Sequence, residues 1–547
     1  MIEIILLNAI YIFSVFSMLP KCLHIYQLES YDCKKNYIWF KLNLNFVFYK
    51  YLLFDVILFF INYCFLLILS DLFFLIYFFI LVLPCYFFIS YYDEILKTKT
   101  HKKPLMFTNR IKRFTLIFLI FYLLIFNFLF IKYFSLNLLY CLLPLNFLLF
   151  SLIFVLSHFV SNIIEKTIAY CFISSAKKIL RESNIITTIG ITGSFGKTSV
   201  KNFMHTILSE KFNSLSTPKS YNTPMGVVKT IRENLNFQHK VFVVEMGADK
   251  KGDIHKLCEI VYPNMGVLTS IGKQHLNTFK SFENIIQTKS ELSEFIKAIS
   301  GIMVFNLDDK NVLDIYLKYS LKKYGVCIDI NNHENFEQKR IFDNETILSA
   351  YNITLSEKGC KFDLLKNNEY FLTAESVLLG KHNILNILLA VAVAVELNLS
   401  KNEIITGIRK LKPIPNRLEI KKLANGATLI DNGFNSNPTS AQVSLEVLSL
   451  FNKKIKTIIT PGLVELANEQ YTENYLFGKS IAKVADTAII VNNVNKNSLT
   501  AGLIDGGMEK DKILYFDNFN SSLINYLKTL SANNVVLIEN DLPDNYK

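Results

Sequence analysis

The nine cysteines of this 547-residue chain include no CxxC pair. That removes the spacing of a zinc ribbon or a dithiol redox motif and leaves scattered reduced thiols, as expected of a protein facing the cytosol. There is no internal repeat and no low-complexity linker, which excludes solenoids and arrays. The segment 1–19 lacks both a basic start and a small-residue cleavage site, so it reads as a retained helix and not a signal peptide. The net charge of +12 is not gathered into one patch. Many positive charges fall between hydrophobic segments, so a membrane explains them before nucleic acid does, and no nucleic-acid partner is expected.

What the chain does have is a hydrophobic front. Five segments, near 1–19, 51–70, 72–91, 114–132 and 134–160, are long and apolar. A hydrocarbon layer of about 30 Å takes roughly 20 helical residues, so each is a candidate span. One set of intervening loops carries Lys21, Lys34, Lys35, Lys41 and Lys50, then Lys97, Lys99, Lys102, Lys103, Arg110, Lys112 and Arg113. The opposite turns hold only Asp71 and Lys132. The positive-inside rule then puts the N-terminus outside and everything after 160 in the cytoplasm, which predicts a multi-pass protein of the cytoplasmic membrane with lipid as a partner. Asp55 and Asp71 read as helix-end carboxylates reaching the interface, the alternative being a transport path. Residues 161–184 have helical spacing with Lys177, Lys178 and Arg181 late in the segment. They form either an interfacial helix or the first helix of a soluble part.

Beyond 184 the pattern turns globular. Strands such as IITTIGIT, KVFVVEMG and NMGVLTSIG alternate with helical stretches and predict a parallel α/β sheet. A more polar stretch at 327–379 breaks the alternation and reads as short strands. A second alternating series follows (ATLIDNG, KTIITPG, TAIIVNN, VVLIEND), with a boundary at KPIPN, 412–416. The expected fold is multi-domain: a transmembrane helical region at 1–160, a juxtamembrane helix or linker at 161–184, an α/β P-loop domain at 185–414 and a Rossmann-like α/β domain at 415–547.

The segment TGSFGKTS carries the clearest chemistry. A strand at 185–192 runs into Gly193, Ser194, Phe195 and Gly196, and a helix follows. That geometry converges backbone N–H groups and a helix N-terminus on phosphate oxygens. Lys197 is placed to reach the β/γ-phosphates, the Thr198 hydroxyl to hold Mg²⁺, and Ser199 to complete the first turn. The strict GxxxxGK[ST] pattern has a glycine where this chain has Ile191.

The loop resembles the TG(T/S)xGKT(S/T) element of the Mur ligase and folylpolyglutamate synthetase superfamily, which lacks that early glycine. Further strings follow in the same order: SYNTPMGV, VVEMGADKKGDI, LTSIGKQHLNTFKSFENIIQTKSEL, NLDD, GKHNILN, PNRLE and LIDNGFNSNPTS. The resemblance covers roughly 185–450, and its nearest branch is the one that adds D-Ala-D-Ala to a muramoyl tripeptide in bacterial peptidoglycan synthesis. It implies an ATP-dependent, ADP-forming ligase with two Mg²⁺ ions. A carboxylate takes the γ-phosphoryl of ATP, and an amine then displaces phosphate from the acyl phosphate. On this resemblance Glu245 holds the first Mg²⁺ with Thr198, while His275 and a carbamylated Lys289 hold the second. Asn306, Asp308 and Asn386 face the nucleotide base. Arg417 contacts phosphate and Asp431 the ribose or a metal-bound water. Asn222 lies on the γ-phosphate and acceptor side, and Asn435 helps to shape the interdomain cleft. For Asn306, Asp308 and Asn386, a helix cap is the alternative reading.

Two departures fall on the substrate side. No uridine-binding module is recognisable in the region taken by the hydrophobic helices. The family's GDMxELG appears as TPGLVELAN (460–468), and its late KGSRxxxxE signature as IENDLPDNYK (538–547). The acceptor is therefore open between a nucleotide sugar and a lipid-linked glycan, and the amine between an amino acid and a dipeptide. Alongside the D-Ala-D-Ala ligase stand a ligase for another cell-envelope precursor and a membrane scaffold or transporter with a degenerate nucleotide domain.

Overall fold

The computed structural model describes residues 19–29, 31, 104–132, 146–274, 276–328, 345–433, 436–517 and 521–541. The chain forms two compact units, Met1–Cys171 with Asp544–Lys547, and Phe172–Pro543.

The first unit contains the helix Asn109–Lys132 and most of the helix Asn146–Glu182. Aromatic side chains join them: Phe114 lies 5.0 Å from Phe154 and Phe118 5.1 Å from Phe150, centroid to centroid. Arg113 grips Glu165 with two charge-assisted hydrogen bonds, from Nε at 2.6 Å and Nη2 at 2.9 Å. On the side away from these contacts, Leu116, Ile120 and Leu124 form an exposed stripe at helical spacing, and Leu152, Val155 and Phe159 are exposed on the other helix. Among the described residues one helix, Phe150–Glu182, is long and apolar enough to cross a membrane. The expected spans at 51–70 and 72–91, and all but the end of 1–19, lie outside the described residues.

The helix Asn146–Glu182 runs unbroken for 37 residues through the expected boundary at 160. Nothing in 146–182 stops it, since the segment has neither glycine nor proline. Residues 161–182, which the spacing marks as helical, are the later part of this helix. Its last turns belong to the second unit, where Ile173, Ala176, Ile179 and Leu180 join an apolar core and Arg232 stacks on Phe172 at 4.1 Å.

The second unit has two sheets. The first contains β1 (Thr187–Thr192), β2 (Ser214–Ser216), β3 (Val241–Glu245), β4 (Met265–Leu268), β5 (Ile302–Asn306), β6 (Lys322–Ile328), β7 (Glu345–Ser356), β8 (Gly359–Lys366) and β9 (Glu369–Ser376), in the order β2-β3-β1-β4-β5-β6-β7-β8-β9. Pairing is parallel from β2 to β7 and antiparallel from β7 to β9. The polar stretch expected to hold short strands instead extends the same sheet with strands of 12, 8 and 8 residues. Their tight reversal at Asn367 and Asn368 uses positive φ at both residues (51° and 66°), a conformation that asparagine tolerates and that matches the twist of a hairpin. The second sheet contains β10 (Glu419–Lys422), β11 (Thr428–Asn432), β12 (Ile455–Thr460), β13 (Thr487–Val491), β14 (Ile513–Phe516) and β15 (Asn534–Glu539), in the order β10-β11-β15-β12-β13-β14. Only β10 is antiparallel.

β1 lies between β3 and β4, and the chain leaves it in opposite directions along the sheet. The carboxyl ends of these strands therefore open a crevice, where an open α/β sheet holds its ligands. The helix Lys197–Leu208 leads away from that crevice with Val200, Phe203, Met204 and Ile207 buried. The helices Lys381–Glu396 and Lys401–Arg409 pack against it. Gly407 permits the second of these approaches, because a Cβ there would stand 2.8 Å from Ile207 Cα. We expect Gly407→Ala to push the two helices apart and lower stability by about 1–3 kcal/mol in urea unfolding, while an unchanged midpoint would show that the helices yield without cost.

Candidate active site

The glycine loop after β1 is held open from behind. Ser194 N–H donates to Ser270 O at 2.7 Å, and Phe195 N–H to Ser270 Oγ at 2.9 Å. Thr269 Oγ1 donates to Phe195 O, and Ser194 Oγ to Gly272 O at 3.0 Å. With those amides taken, the donors left for an anion are the first-turn N–H groups of the helix Lys197–Leu208, at Lys197, Thr198 and Ser199. Gly196, at φ 85°, makes the turn into the helix. It also lets Asn386 approach, since a Cβ would lie 2.8 Å from Asn386 Oδ1. Lys197 folds over the loop, donating from Nζ to Gly193 O at 2.7 Å and Ser194 O at 3.2 Å. Burial pushes its pKa down to about 8; Arg417 acts in the same direction and Glu245 opposes.

Glu245 ends β3 and is 1% exposed. Its Oε1 accepts from Asn222 Nδ2 at 3.1 Å, and its Oε2 lies 3.2 Å from Lys201 Nζ. Asn222 is itself fixed, because Gly247 N–H donates to its carbonyl at 2.8 Å. Thr198, 5% exposed, sits one residue beyond Lys197 at the start of the same helix. Lys289, on the helix Phe282–Ala298, is fully buried, and its Nζ has no hydrogen-bond partner. Burial, reinforced by Lys197, pushes that amine down to about 7. A buried, unpartnered amine that releases its proton so readily has the chemistry needed to add CO₂ and become an anionic carbamate. The set Thr198, Glu245 and Lys289 therefore fits Mg²⁺, a hard cation that takes oxygen ligands. His275 lies outside the described residues. Among those described, no three His, Cys, Asp or Glu side chains gather as a metal cluster.

The remaining predicted residues fall at three places. Asn306 ends β5 and donates to Thr269 O at 2.8 Å, bracing the loop after β4. Asp308 accepts from Ile328 N–H at 2.9 Å, and it is Asp309 that caps the helix Lys310–Lys318 while accepting from Ile271 N–H at 2.8 Å. Asn386 accompanies the glycine loop, as above. Arg417, half-buried in the connection to the second sheet, faces Glu245 electrostatically. Asp431 is drawn to Lys421 on the neighbouring strand at 2.7 Å. Asn435 lies outside the described residues.

Several contributors escaped the sequence reading. Lys201 and Ser270 complete the charge and the shape of the loop. Lys273 bridges the loop after β4 to Glu469 and Glu473 at the other domain's helix Gln470–Ala482. His382, partly buried beside Phe195 with ring centroids 6.0 Å apart, is pushed down to about 4 by desolvation and stays neutral.

This arrangement of glycine loop, strand-end carboxylate and buried lysine coincides with a known family pattern, as residues 191–394 match the Mur ligase middle domain. Similar proteins include the UDP-N-acetylmuramoyl-tripeptide–D-alanyl-D-alanine ligase of Buchnera aphidicola, 32% identical over 303 residues, which are 55% of this chain and 62% of that protein. The enzyme of the same name from Bacillus subtilis is 26% identical over 333 residues, 60% of this chain and 67% of that one. The match thus spans less than two thirds of the Buchnera protein. MurF from Thermotoga maritima in complex with ADP shares the fold, with a TM-score of 0.57, 22% identity, and coverage of 68% of this chain and 80% of that one.

The Lys289 assignment has a pH signature. The folded value of about 7 lies below the ordinary 10.5. Between those pH values the unfolded chain binds one proton more than the folded chain, so burying this amine costs stability, fully below pH 7 and less as pH rises to 10.5. In CO₂-free buffer, Lys289→Met is expected to raise the urea midpoint most at pH 6–7, with the gain vanishing towards pH 10. Parallel pH profiles for the two proteins would contradict the assignment.

Proposed function

We propose that the protein is an ATP-dependent, ADP-forming carboxylate–amine ligase that adds D-Ala-D-Ala to a UDP-muramoyl tripeptide in peptidoglycan precursor synthesis. The observation that carries the proposal is the electrostatic proximity of Lys197, at the start of the helix after the glycine loop, to the buried Glu245 and to the unpartnered amine of Lys289. Amide formation from a carboxylate is uphill, so the oxygen must first become a leaving group. A carboxylate oxygen of the acceptor attacks the γ-phosphorus of ATP, the bond to ADP breaks, and an acyl phosphate forms. The amine nitrogen then attacks the carbonyl carbon, phosphate departs with the former carboxylate oxygen, and the amine loses a proton.

Phosphoryl transfer of this kind depends on position and charge more than on covalent help. The first-turn N–H groups of the helix Lys197–Leu208 and the ammonium of Lys197 receive the phosphates, and Arg417 adds positive charge from the linker side. Mg²⁺, held by Thr198 and Glu245 and in a second place by His275 and carbamylated Lys289, neutralises phosphate charge when bound. Asn222, hydrogen-bonded to Glu245, orients the acceptor side. The second sheet closes over the nucleotide and keeps water from the acyl phosphate.

The apolar stripes of the first unit support a further part of the reading, a five-helix anchor in the bacterial cytoplasmic membrane with the catalytic unit in the cytoplasm. A second substrate reading is favoured by one observation. The end of β15, where the family carries KGSR, holds the fully buried Glu539, pushed up to about 7 by burial and bonded to Ser436 and Asn432. A carboxylate in that place favours a different amine, and with it another envelope precursor as acceptor.

ADP release by the purified full-length protein separates these readings. It is expected with UDP-muramoyl tripeptide only when D-Ala-D-Ala is present, and Lys197→Ala should lower it at least about a hundredfold. Turnover near wild type in that variant would refute the role of Lys197. Turnover with the tripeptide and another amine, but not D-Ala-D-Ala, would move the protein to the second reading.

A further inference from the structure

Lys201 has no place in the scheme above, yet it is among the most deeply buried charged side chains described, at 1% exposure. It lies one helical turn beyond Lys197, on the inner face of the helix that starts at the glycine loop. Its ammonium stands 3.2 Å from Glu245 Oε2 and donates to the carbonyl of Lys219. Asn222 Nδ2 occupies the other oxygen of the same carboxylate at 3.1 Å. Oε1 of Glu245 is thus hydrogen-bonded to Asn222, whereas Oε2 accepts no hydrogen bond and has the ion-pair contact with Lys201, and both neighbours are tied to the segment Lys219–Asn222. A carboxylate buried this deeply without a counter-charge costs several kcal/mol. Lys197 and Arg417 also face Glu245 electrostatically, and Lys201 is in ion-pair contact with it.

We propose that Lys201 is a resident counter-ion: it occupies Glu245 while no metal is bound and gives the carboxylate up to a divalent cation, so that metal loading is felt by the Lys219–Asn222 segment. The inference rests on the reading of Glu245 as a metal ligand. Lys201 is a positioning residue here, since it acts through Glu245 and touches no reacting atom. Competition for one carboxylate has a defined consequence. The metal-free protein binds a divalent cation more weakly than Glu245 alone would allow, and it is more stable than it would be without the lysine.

Mn²⁺ binding followed by electron paramagnetic resonance, with thermal unfolding in parallel, tests this on the full-length protein. For Lys201→Met without nucleotide we expect Mn²⁺ to bind at least about tenfold more tightly than to wild type, equivalent to about 1.4 kcal/mol of relieved competition. The metal-free Tm should fall, and Mn²⁺ should raise it by more than in wild type. A lysine that only fills space would lower Tm equally with and without Mn²⁺; that result, or unchanged Mn²⁺ affinity, overturns the proposal. Should Lys201→Met not fold, the double variant Lys201→Met/Glu245→Gln decides. It carries neither charge and should fold while losing Mn²⁺ binding, whereas a double variant that also fails to fold overturns the counter-ion role. The parent reading is checked separately by wild type with ADP. If wild type binds no Mn²⁺ beside ADP, Glu245 is not a metal ligand and both fall; if it does and Lys201→Met behaves as wild type, only the counter-ion is lost.

Discussion

The site is governed by a shortage of negative charge. Glu245 is a buried carboxylate among Lys197, Lys201 and Arg417, and Lys197 lies close enough to Lys289 to weaken that amine's hold on its proton. In the interior such an excess is tolerated only when it is offset: burial removes protons, and the loop's own carbonyls hold the Lys197 ammonium. In the proposed function a triphosphate would supply the missing charge. Burial first, and neighbouring positive charge second, hold the amines of Lys197 and Lys289 below the ordinary lysine value.

The rest of the second unit serves to keep this arrangement rigid. The loop after β4 is braced from three sides, by Asn306, by Asp309 and by the glycine loop itself. Its Lys273 then reaches Glu469 and Glu473 in the C-terminal domain. The same loop thus touches both the glycine turn and the C-terminal domain, so that closure of that domain, as proposed above, would be felt at the site through one short segment. Exposed ion pairs are weak, so this link is suited to opening and closing and not to permanent docking.

Much of this was legible in the sequence because it rests on local patterns. TGSFGKTS between an apolar run and an amphipathic stretch specifies strand, turn and helix, and alternating strands specify a parallel sheet. What was not legible depended on distance. Lys201 reads as an ordinary helix lysine four residues after Lys197, and only the packing of β3 beside β1 reveals that this face is inward. Asp308 and Asp309 are equivalent letters in NLDD, but the end of β5 gives the first to β6 and the second to a helix cap. The helical spacing of 161–184 is legible in the sequence, whereas its continuity with the apolar helix before residue 160 is not marked by any local pattern. The polar strands at 345–376 were read as short since one of their faces is exposed and their turns lack glycine at Asn367–Asn368.

The central claim is that the acceptor's carboxyl group is activated by phosphoryl transfer within this pocket. Its most direct test is the fate of oxygen-18 placed in that carboxylate during a single round of ligation. The account predicts one labelled oxygen in each inorganic phosphate released, because the oxygen that attacks phosphorus leaves with it. Unlabelled phosphate, with amide formed at the normal rate, would contradict it.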